Sequence, residues 1–465
     1  MNTPFTFEAM IAFGWMSIML LLGIILRAKV KAFQRFLIPS CLIGGAIGLI
    51  LRSYEIIPLS ADILETLAFH LFNISFISIG LTYNKEKTDD KGLSEVLHGS
   101  IWMGNIGGCS FALQAIVGGL CVIVLNYFGY NLFNSFGFLT PLGFEEGPGQ
   151  ALSVGKVWEN LGYAHSATLG LTFAVAGYMF SFLIGVPLAY LGIRRGKAVY
   201  TPKELSIEIR RGIMAQQSEK EVAGELTTHS SNVDALAFQA SLVGVVYMIT
   251  YVVIYGISSL LSPEMGQMLW GFFFFIGLLI AFIVRFIITK FGGLYLIDPG
   301  IQHRITGFSV DYLLVATVMA IQVVVVWQYI VPILVICILA GIITTILCYY
   351  YGRRLWSLNL ERMLLIYGTV TGTVSTGLLL LRITDPEFKT TTAIEAGVMS
   401  IFNAPYVLLG TLLVSAPILW GWSIVKTILV FAGMFIVAAA IIELQRYLLL
   451  KKRKQFSIFI MPVFK

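Results

Sequence analysis

Leu139–Tyr163 reads LTPLGFEEGPGQALSVGKVWENLGY. It lies between two long apolar segments, 99–127 and 165–192, yet it is too polar and too rich in glycine to cross a bilayer as an ordinary helix. Two adjacent carboxylates, Glu145 and Glu146, run straight into Gly147-Pro148-Gly149. Irregular backbone at membrane depth is tolerated only where protein buries it or where it lines a cavity. Interrupted segments of this kind also point to the binding site in secondary carriers. The stretch therefore predicts a re-entrant hairpin over about residues 137–161 that carries part of a solute site.

Composition places this hairpin in a polytopic membrane protein. The 465 residues are 57% hydrophobic and 12% charged, against about 45–50% and about 25% in soluble domains. The net charge of +6 then reports basic loops and topology, not nucleic-acid binding. Cys41, Cys109, Cys121, Cys337 and Cys348 all fall in apolar segments without paired spacing, so they read as small buried residues. No nucleophile–base pair, phosphate loop or metal-ligand pair of histidines is present, which argues against an enzyme and against a resident cofactor. The N-terminal MNTPFTFEAM lacks a basic n-region, so the first helix is expected to stay in the mature protein.

With about 20 apolar residues per crossing, spans are predicted at about 7–27, 36–52, 65–83, 99–127, 165–192, 236–262, 266–288, 305–327, 329–351, 390–415 and 420–449. Arg27, Lys29, Lys31 and Arg35 follow the first span, which puts that loop in the cytoplasm and the N-terminus outside. Alternation places Lys85, Lys87 and Lys91, the linker from Arg194 to Asp234 (with Lys203 and Lys220), Lys290, Arg304, Arg353, Arg354, Arg362 and the C-terminal Lys451–Lys454 inside. This holds only if two stretches fail to cross: the one quoted above, and a second hairpin at about 360–383. The fold class is thus all-α polytopic, with two inverted-topology repeats of five transmembrane helices plus one re-entrant hairpin each. The boundaries are 1–192 for the first repeat, 193–235 for a cytoplasmic linker and 236–415 for the second repeat. Residues 416–465 form an additional transmembrane helix and a basic cytoplasmic tail. Val186-Pro187-Leu188-Ala189-Tyr190-Leu191-Gly192 and Ala404-Pro405-Tyr406-Val407-Leu408-Leu409-Gly410 echo each other, each in the span after a hairpin.

The second hairpin contains Tyr367–Gly377, YGTVTGTVSTG, with six hydroxyl side chains and three glycines in eleven residues. Hydroxyls and freed carbonyls suit a sodium ion, placed near Thr371, Thr373 and Ser375, and half-helix N-termini suit an anionic solute. Tight helix packing by small residues is the competing account. Glu145 and Glu146 either sit solvated at the hairpin mouth, or lie at depth to bind a cation, carry a proton or pair with a base. Lys156 reads as part of the exposed return limb. Asn73 and Asn403 are solute or sodium contacts or else interhelical hydrogen bonds. Asp311, read near the cytoplasmic start of its span, is a functional acid or simply wet. Arg382 is an anion fork or a snorkelling helix-end arginine, and Glu395 reads as a helix-end carboxylate.

Several pieces together resemble the bacterial sodium/glutamate symporter family: Leu37-Ile38-Pro39 with Gly44-Gly45, Phe76–Leu81, Gly147–Ala151 through Tyr163, Phe182–Pro187, and Gly368–Gly377. The likeness runs over roughly residues 10–415. It implies an elevator-like carrier, with hairpin tips meeting near the midplane and a mobile part moving against a homodimeric scaffold. Carried across, the site would involve Gly147, Gly149 and Gln150, with Thr371, Thr373, Ser375 and Thr376 opposite. The family's first hairpin usually reads Gly-His-Gly-Thr-Gly where this chain has Glu145-Glu146-Gly147-Pro148-Gly149, so this is a divergent member. Helix 420–449 lies outside the family pattern.

The resulting expectation is a secondary active transporter of the plasma (inner) membrane that moves glutamate or a related small organic anion. Its coupling ion is sodium, or alternatively a proton, and its partners are lipid and a second copy of the chain. An ion channel and a non-transporting receptor or scaffold derived from a transporter are the alternatives. Thr376→Val and Gly149→Leu are expected to abolish transport without loss of folded protein.

Overall fold

A computed structural model describes the chain except residues 1–5, 83–89, 201–205, 215, 217–221, 230, 355–356, 387 and 461–465, and except the side chains of 90–93, 450 and 452–460. Lys85, Lys87, Lys203 and Lys220, with the side chains of Lys91 and of residues 452–454, therefore lie outside the described residues. Helix is the only regular secondary structure among the described residues. The first half holds α1 (Glu8–Lys29), α2 (Ser40–Ser53), α3 (Ala61–Leu81) and α4 (Asp90–Tyr127). A 3-10 turn (Phe136–Phe138) then leads to α5 (Leu139–Phe144) and α6 (Pro148–Asn160). A long rod follows, made of α7 (Ser166–Phe180), a π-helical turn (Ser181–Gly185) and α8 (Val186–Arg194). The second half holds α9 (Ala235–Ser258), α10 (Pro263–Gly271), α11 (Phe273–Lys290), α12 (Pro299–Ala320) and α13 (Ile330–Gly352). It ends with α14 (Asn359–Val370), α15 (Val374–Thr384), α16 (Thr392–Val414) and α17 (Ile424–Ile460).

Among the described residues, nine helices are long and apolar enough to cross a membrane. They are α1, α3, α4 from Ser94, the α7–α8 rod, α9, α11, α13, α16 and α17 to Leu449. Two of the eleven expected spans are not among the nine, 36–52, which forms only the 14-residue α2, and 305–327, and a third differs in detail. The one read at 305–327 starts earlier, because Asp298 caps α12 by accepting from the Ile301 amide at 2.7 Å and Pro299 occupies the first turn. It ends at Ala320, where Ile321 leaves helical geometry (φ −56°, ψ 130°). The one read at 266–288 is divided between α10 and α11 at Phe272.

The chain forms two compact units. The first comprises Met1–Lys87, Pro148–Thr172 and Ser206–Tyr329, and so holds α1–α3, α6, the opening turns of α7, and α9–α12. In it α12 packs on α3 and α2, and α11 packs on α3, around a core of Ile77, Leu81, Val243, Val246 and Ala281. A buried polar chain crosses this core: Ser78 Oγ donates to Gln302 Oε1 (2.6 Å), Gln302 Nε2 to Gln239 Oε1 (3.1 Å), and Gln239 Nε2 to the Leu296 carbonyl (2.7 Å). Arg52 caps α12. It donates to the carbonyls of Met319 (2.8 Å), Ala320 (3.3 Å) and Ile321 (3.3 Å), and to that of Leu59 (3.0 Å). A cation suits these orphan carbonyls at a helix C-terminus.

The second unit comprises Thr88–Gly147, Phe173–Leu205 and Ile330–Lys465. Here α4 is the spine, against which α16, α17 and α13 pack, and α14 pairs with α15. Each half of the sequence gives its first three expected spans to the first unit. The spans flanking its interrupted stretch go to the second unit, except for the opening turns of α7.

Candidate solute site

The quoted stretch forms two short helices joined by a bend. α5 stops because the Glu145 and Glu146 amides both turn back to the Pro141 carbonyl, at 3.0 and 3.3 Å. Gly147 then adopts φ +80°, a left-handed conformation that a side chain would strain. Pro148 starts α6, where a missing N–H costs nothing. A Cβ built on Gly147 would lie 2.8 Å from Thr373 Cγ2 and 3.4 Å from the Gly372 carbonyl oxygen. The bend therefore sits directly against the turn between α14 and α15, within the second unit.

That turn belongs to a helix–turn–helix over Asn359–Thr384. Its limbs touch backbone to backbone: a Cβ on Gly377 would fall 2.3 Å from the Leu365 carbonyl oxygen and 2.5 Å from Thr369 Oγ1. Thr373 is extended (φ −155°, ψ 171°) and begins α15 without a side-chain cap. The amides of Val374, Ser375 and Thr376 precede the first bond of α15, Gly377 N–H to the Thr373 carbonyl (3.0 Å). The first amides of a helix carry no intrahelical acceptor and concentrate partial positive charge.

The hydroxyls of this turn have different roles. Thr371 is fully buried and donates to the Tyr367 carbonyl (2.6 Å), so Ser181 must donate to it across 2.6 Å. Its side chain thus pins the turn. Thr373 and Thr376 lie 3.5 Å apart, half-buried and buried, while Ser375 is exposed. Two residues without a sequence signal of their own support the turn. Ser181 opens the π-helical turn, which precedes Pro187; that proline has no N–H for the Leu183 carbonyl. Gln114, the lone glutamine of α4, donates from Nε2 to the Val370 carbonyl (2.9 Å), Ser110 Oγ (3.0 Å) and Thr344 Oγ1 (3.2 Å).

Glu145 is 4% exposed and lies at depth in the unit. Its Oε1 accepts from Asn403 Nδ2 at 3.2 Å. Asn403 comes from α16, two residues before Pro405. Glu146 is half-buried. Neither carboxylate is ion-paired with a base among the described residues. Of the four accounts open from sequence, the solvated mouth fails for Glu145, and pairing with a base fails among the described residues.

The remaining predicted residues fall in the first unit. Gly149 packs on Phe72, and a Cβ there would lie 2.1 Å from the ring. Gly149→Leu would therefore break packing and is not a clean transport probe, contrary to the expectation above. Gln150 and Asn73 are fully buried, and the Asn73 amide makes no hydrogen bond among the described residues. Asp311 lies midway along the 22-residue α12, not at its start, and is exposed.

Lys156 is not merely exposed. It binds Glu65 (2.6 Å), Asp62 (3.1 Å) and Glu159 (3.3 Å) beside a cavity of about 250 Å³ lined by Phe69 and Trp270. Arg362 and Glu395 also change standing. Both are fully buried in the second unit as a two-pronged pair, Nε to Oε2 at 2.7 Å and Nη2 to Oε1 at 2.5 Å. Arg382 is exposed and stacks over Phe388 at 4.8 Å.

By its architecture this is a helical polytopic membrane protein with a glycine- and threonine-rich helix–turn–helix. The comparison with known families is more specific: residues 5–371 match the sodium/glutamate symporter family. The chain belongs to that family, a group of sodium-coupled amino-acid transporters and not of enzymes. No curated protein matches the chain. The matched region ends at Thr371, so Thr373, Ser375, Thr376 and Asn403 lie beyond it.

Proposed function

We propose that this protein is a sodium-coupled symporter of glutamate or a closely related small organic anion, working by alternating access in the plasma membrane. The observation that carries this reading is the α14–α15 turn, where the N-terminus of α15, Thr373 and Thr376 lie with Gly147 at one place in the second unit. The unbonded first amides of α15 suit a solute carboxylate. Sodium is assigned to the oxygens around Thr371, Thr373 and Ser375, with Thr371 contributing mainly by shaping the turn. Gly149, Gln150, Asn73 and Asp311, all in the first unit, are proposed separately as solute or sodium contacts.

Further parts of the proposal are two inverted repeats (1–192 and 236–415), a cytoplasmic linker over 193–235, and an external N-terminus with a cytoplasmic C-terminus. The helix pair Asn359–Thr384 and the α5–α6 bend are then re-entrant, and the part bearing them moves as an elevator against a homodimeric scaffold. The parallel contribution of each half to the two units supports the repeat. A channel is disfavoured by the family, and a transport-dead receptor would retain binding without flux.

The test is uptake of labelled L-glutamate, L-aspartate and related acids into proteoliposomes with and without an inward sodium gradient. Saturable, sodium-driven accumulation is expected, and its loss in Thr376→Val with full recovery of folded protein. Absence of accumulation for every acid, or wild-type uptake by Thr376→Val, overturns the assignment.

A further inference from the structure

We propose that Glu145 is a proton-binding site, carried as the neutral acid in the conformation seen here and able to release its proton during the transport cycle. The argument begins with partners. Glu145 Oε1 accepts from Asn403 Nδ2, whereas Glu145 Oε2 and Asn403 Oδ1 are buried and make no hydrogen bond among the described residues. The Asn403 amide is wedged against the backbone of α4, where a Cβ on Gly107 would lie 2.6 Å from Asn403 Oδ1. Asparagine and carboxyl are therefore confined together, with two acceptor oxygens and no donor for either.

Among the described residues, the titratable groups facing Glu145 carry no compensating charge. They are Glu146 on its own segment, Cys109 of α4 and Cys348 of α13. On α16, Tyr406 gives its hydroxyl hydrogen to Asn105 Oδ1 at 2.6 Å. Tyr178 Oη of α7 lies near Gly147. None is cationic, and Glu146 adds a like charge. An isolated carboxylate taken out of water is so costly that a group in this position gives up its charge. A resident multivalent metal is a poor alternative, since no three acidic, histidine or cysteine groups are placed to hold one among the described residues. A proton suffices: Glu145 takes up H⁺ at Oε2, becomes a donor there, and keeps Oε1 as acceptor for Asn403. Deprotonation returns one H⁺ and leaves an acceptor-only carboxylate.

The resting state of Glu145 stands apart from the transport reading; only the claim that the proton moves in the cycle rests on it. Infrared spectroscopy of the full-length protein in lipid at neutral pH tests the first part. A carboxylic-acid carbonyl band is expected in the wild type, lost in Glu145→Gln and kept in Glu146→Gln. Identical wild-type and Glu145→Gln spectra overturn the proposal, as does a band abolished by saturating sodium chloride, which would make this a sodium site. Should Glu145→Gln fail to fold, Glu145→Asp must shift the band, and no shift overturns the proposal. For the second part, wild-type proteoliposomes containing a pH-sensitive dye are given sodium and labelled L-glutamate. Acidification of the lumen with uptake is expected, and uptake without acidification overturns the coupling. Absence of uptake counts against the carrier reading and leaves the infrared result to decide the proton site.

Discussion

Replacing Glu395 with glutamine should destabilise this protein far more than a change at one helix end normally does. Glu395 and Arg362 are both fully buried, and they meet through two charge-assisted hydrogen bonds. Breaking one side of such a pair costs about 3–5 kcal/mol, because a charge is left buried without its partner. The two sides differ in what remains. Without the Glu395 charge, Arg362 still donates to the Ser357 carbonyl (3.0 Å) and hydroxyl (2.9 Å) and lies 3.5 Å from Glu95. Without Arg362, Glu395 keeps as its side-chain partner among the described residues the Thr391 hydroxyl at 2.7 Å. Glu395→Gln should thus cost about 3 kcal/mol and Arg362→Met about 5 kcal/mol, the ends of that range. The double change Arg362→Met/Glu395→Met removes both charges and should cost less than either single change.

Reversible unfolding in mixed micelles, followed by tryptophan fluorescence, reads all four corners of this cycle. Gly99→Ala attacks the same pair from α4, since its Cβ would fall 2.1 Å from Glu395 Oε2 and 2.8 Å from Arg362 Nε. Its penalty should shrink in a Glu395→Ala background. Single variants within about 1 kcal/mol of wild type, the range of exposed pairs, or an additive double variant would refute the reasoning.

Three further changes probe other supports. Lys156→Met strands Glu65, whose side chain is 5% exposed, but Lys156 itself is 43% exposed; solvent screening holds the expected loss to about 1–2 kcal/mol, read by thermal denaturation and softened by Glu65→Gln. Arg52→Ala frees the terminal carbonyls of α12 and should cost about 1–3 kcal/mol, with hydrogen exchange accelerated at the end of that helix first. Thr371→Val removes the hydroxyl shared between Ser181 and the Tyr367 carbonyl. A loss of about 1–3 kcal/mol in micelle unfolding, with little further loss on adding Ser181→Ala, marks it as a support of the turn; full stability would mark it as a ligand instead.

The helices and both interruptions were legible because they depend on local properties. Apolar length alone sets whether a segment can span a bilayer, and α3, α4, α9 and α13 lie close to where that length places them. Glycine at Gly147 and Gly377 announced a bend and a close approach because only a missing Cβ permits them. The threonine run from Thr369 to Thr376 announced a polar turn, which lies between α14 and α15. The charge pattern could not show that Arg52 caps a helix or that Arg362 is buried, since a loop arginine and a buried one look alike in sequence.

What the chain by itself determined, then, is that it is a helical membrane protein of the symporter family, with two interruptions carrying glycine and hydroxyl groups. Only the tertiary structure decided which polar groups are supports and which remain unpaired. Hydropathy and turn chemistry act between near neighbours in sequence, but a buried charge is stabilised or stranded by whatever folding brings to it. Arg362 finds Glu395 33 residues away, and Glu145 finds Asn403 258 residues away. The first meeting is between opposite charges, and it holds a hairpin in place. The second is between a carboxyl and a neutral amide, which leaves a proton as the group that completes it.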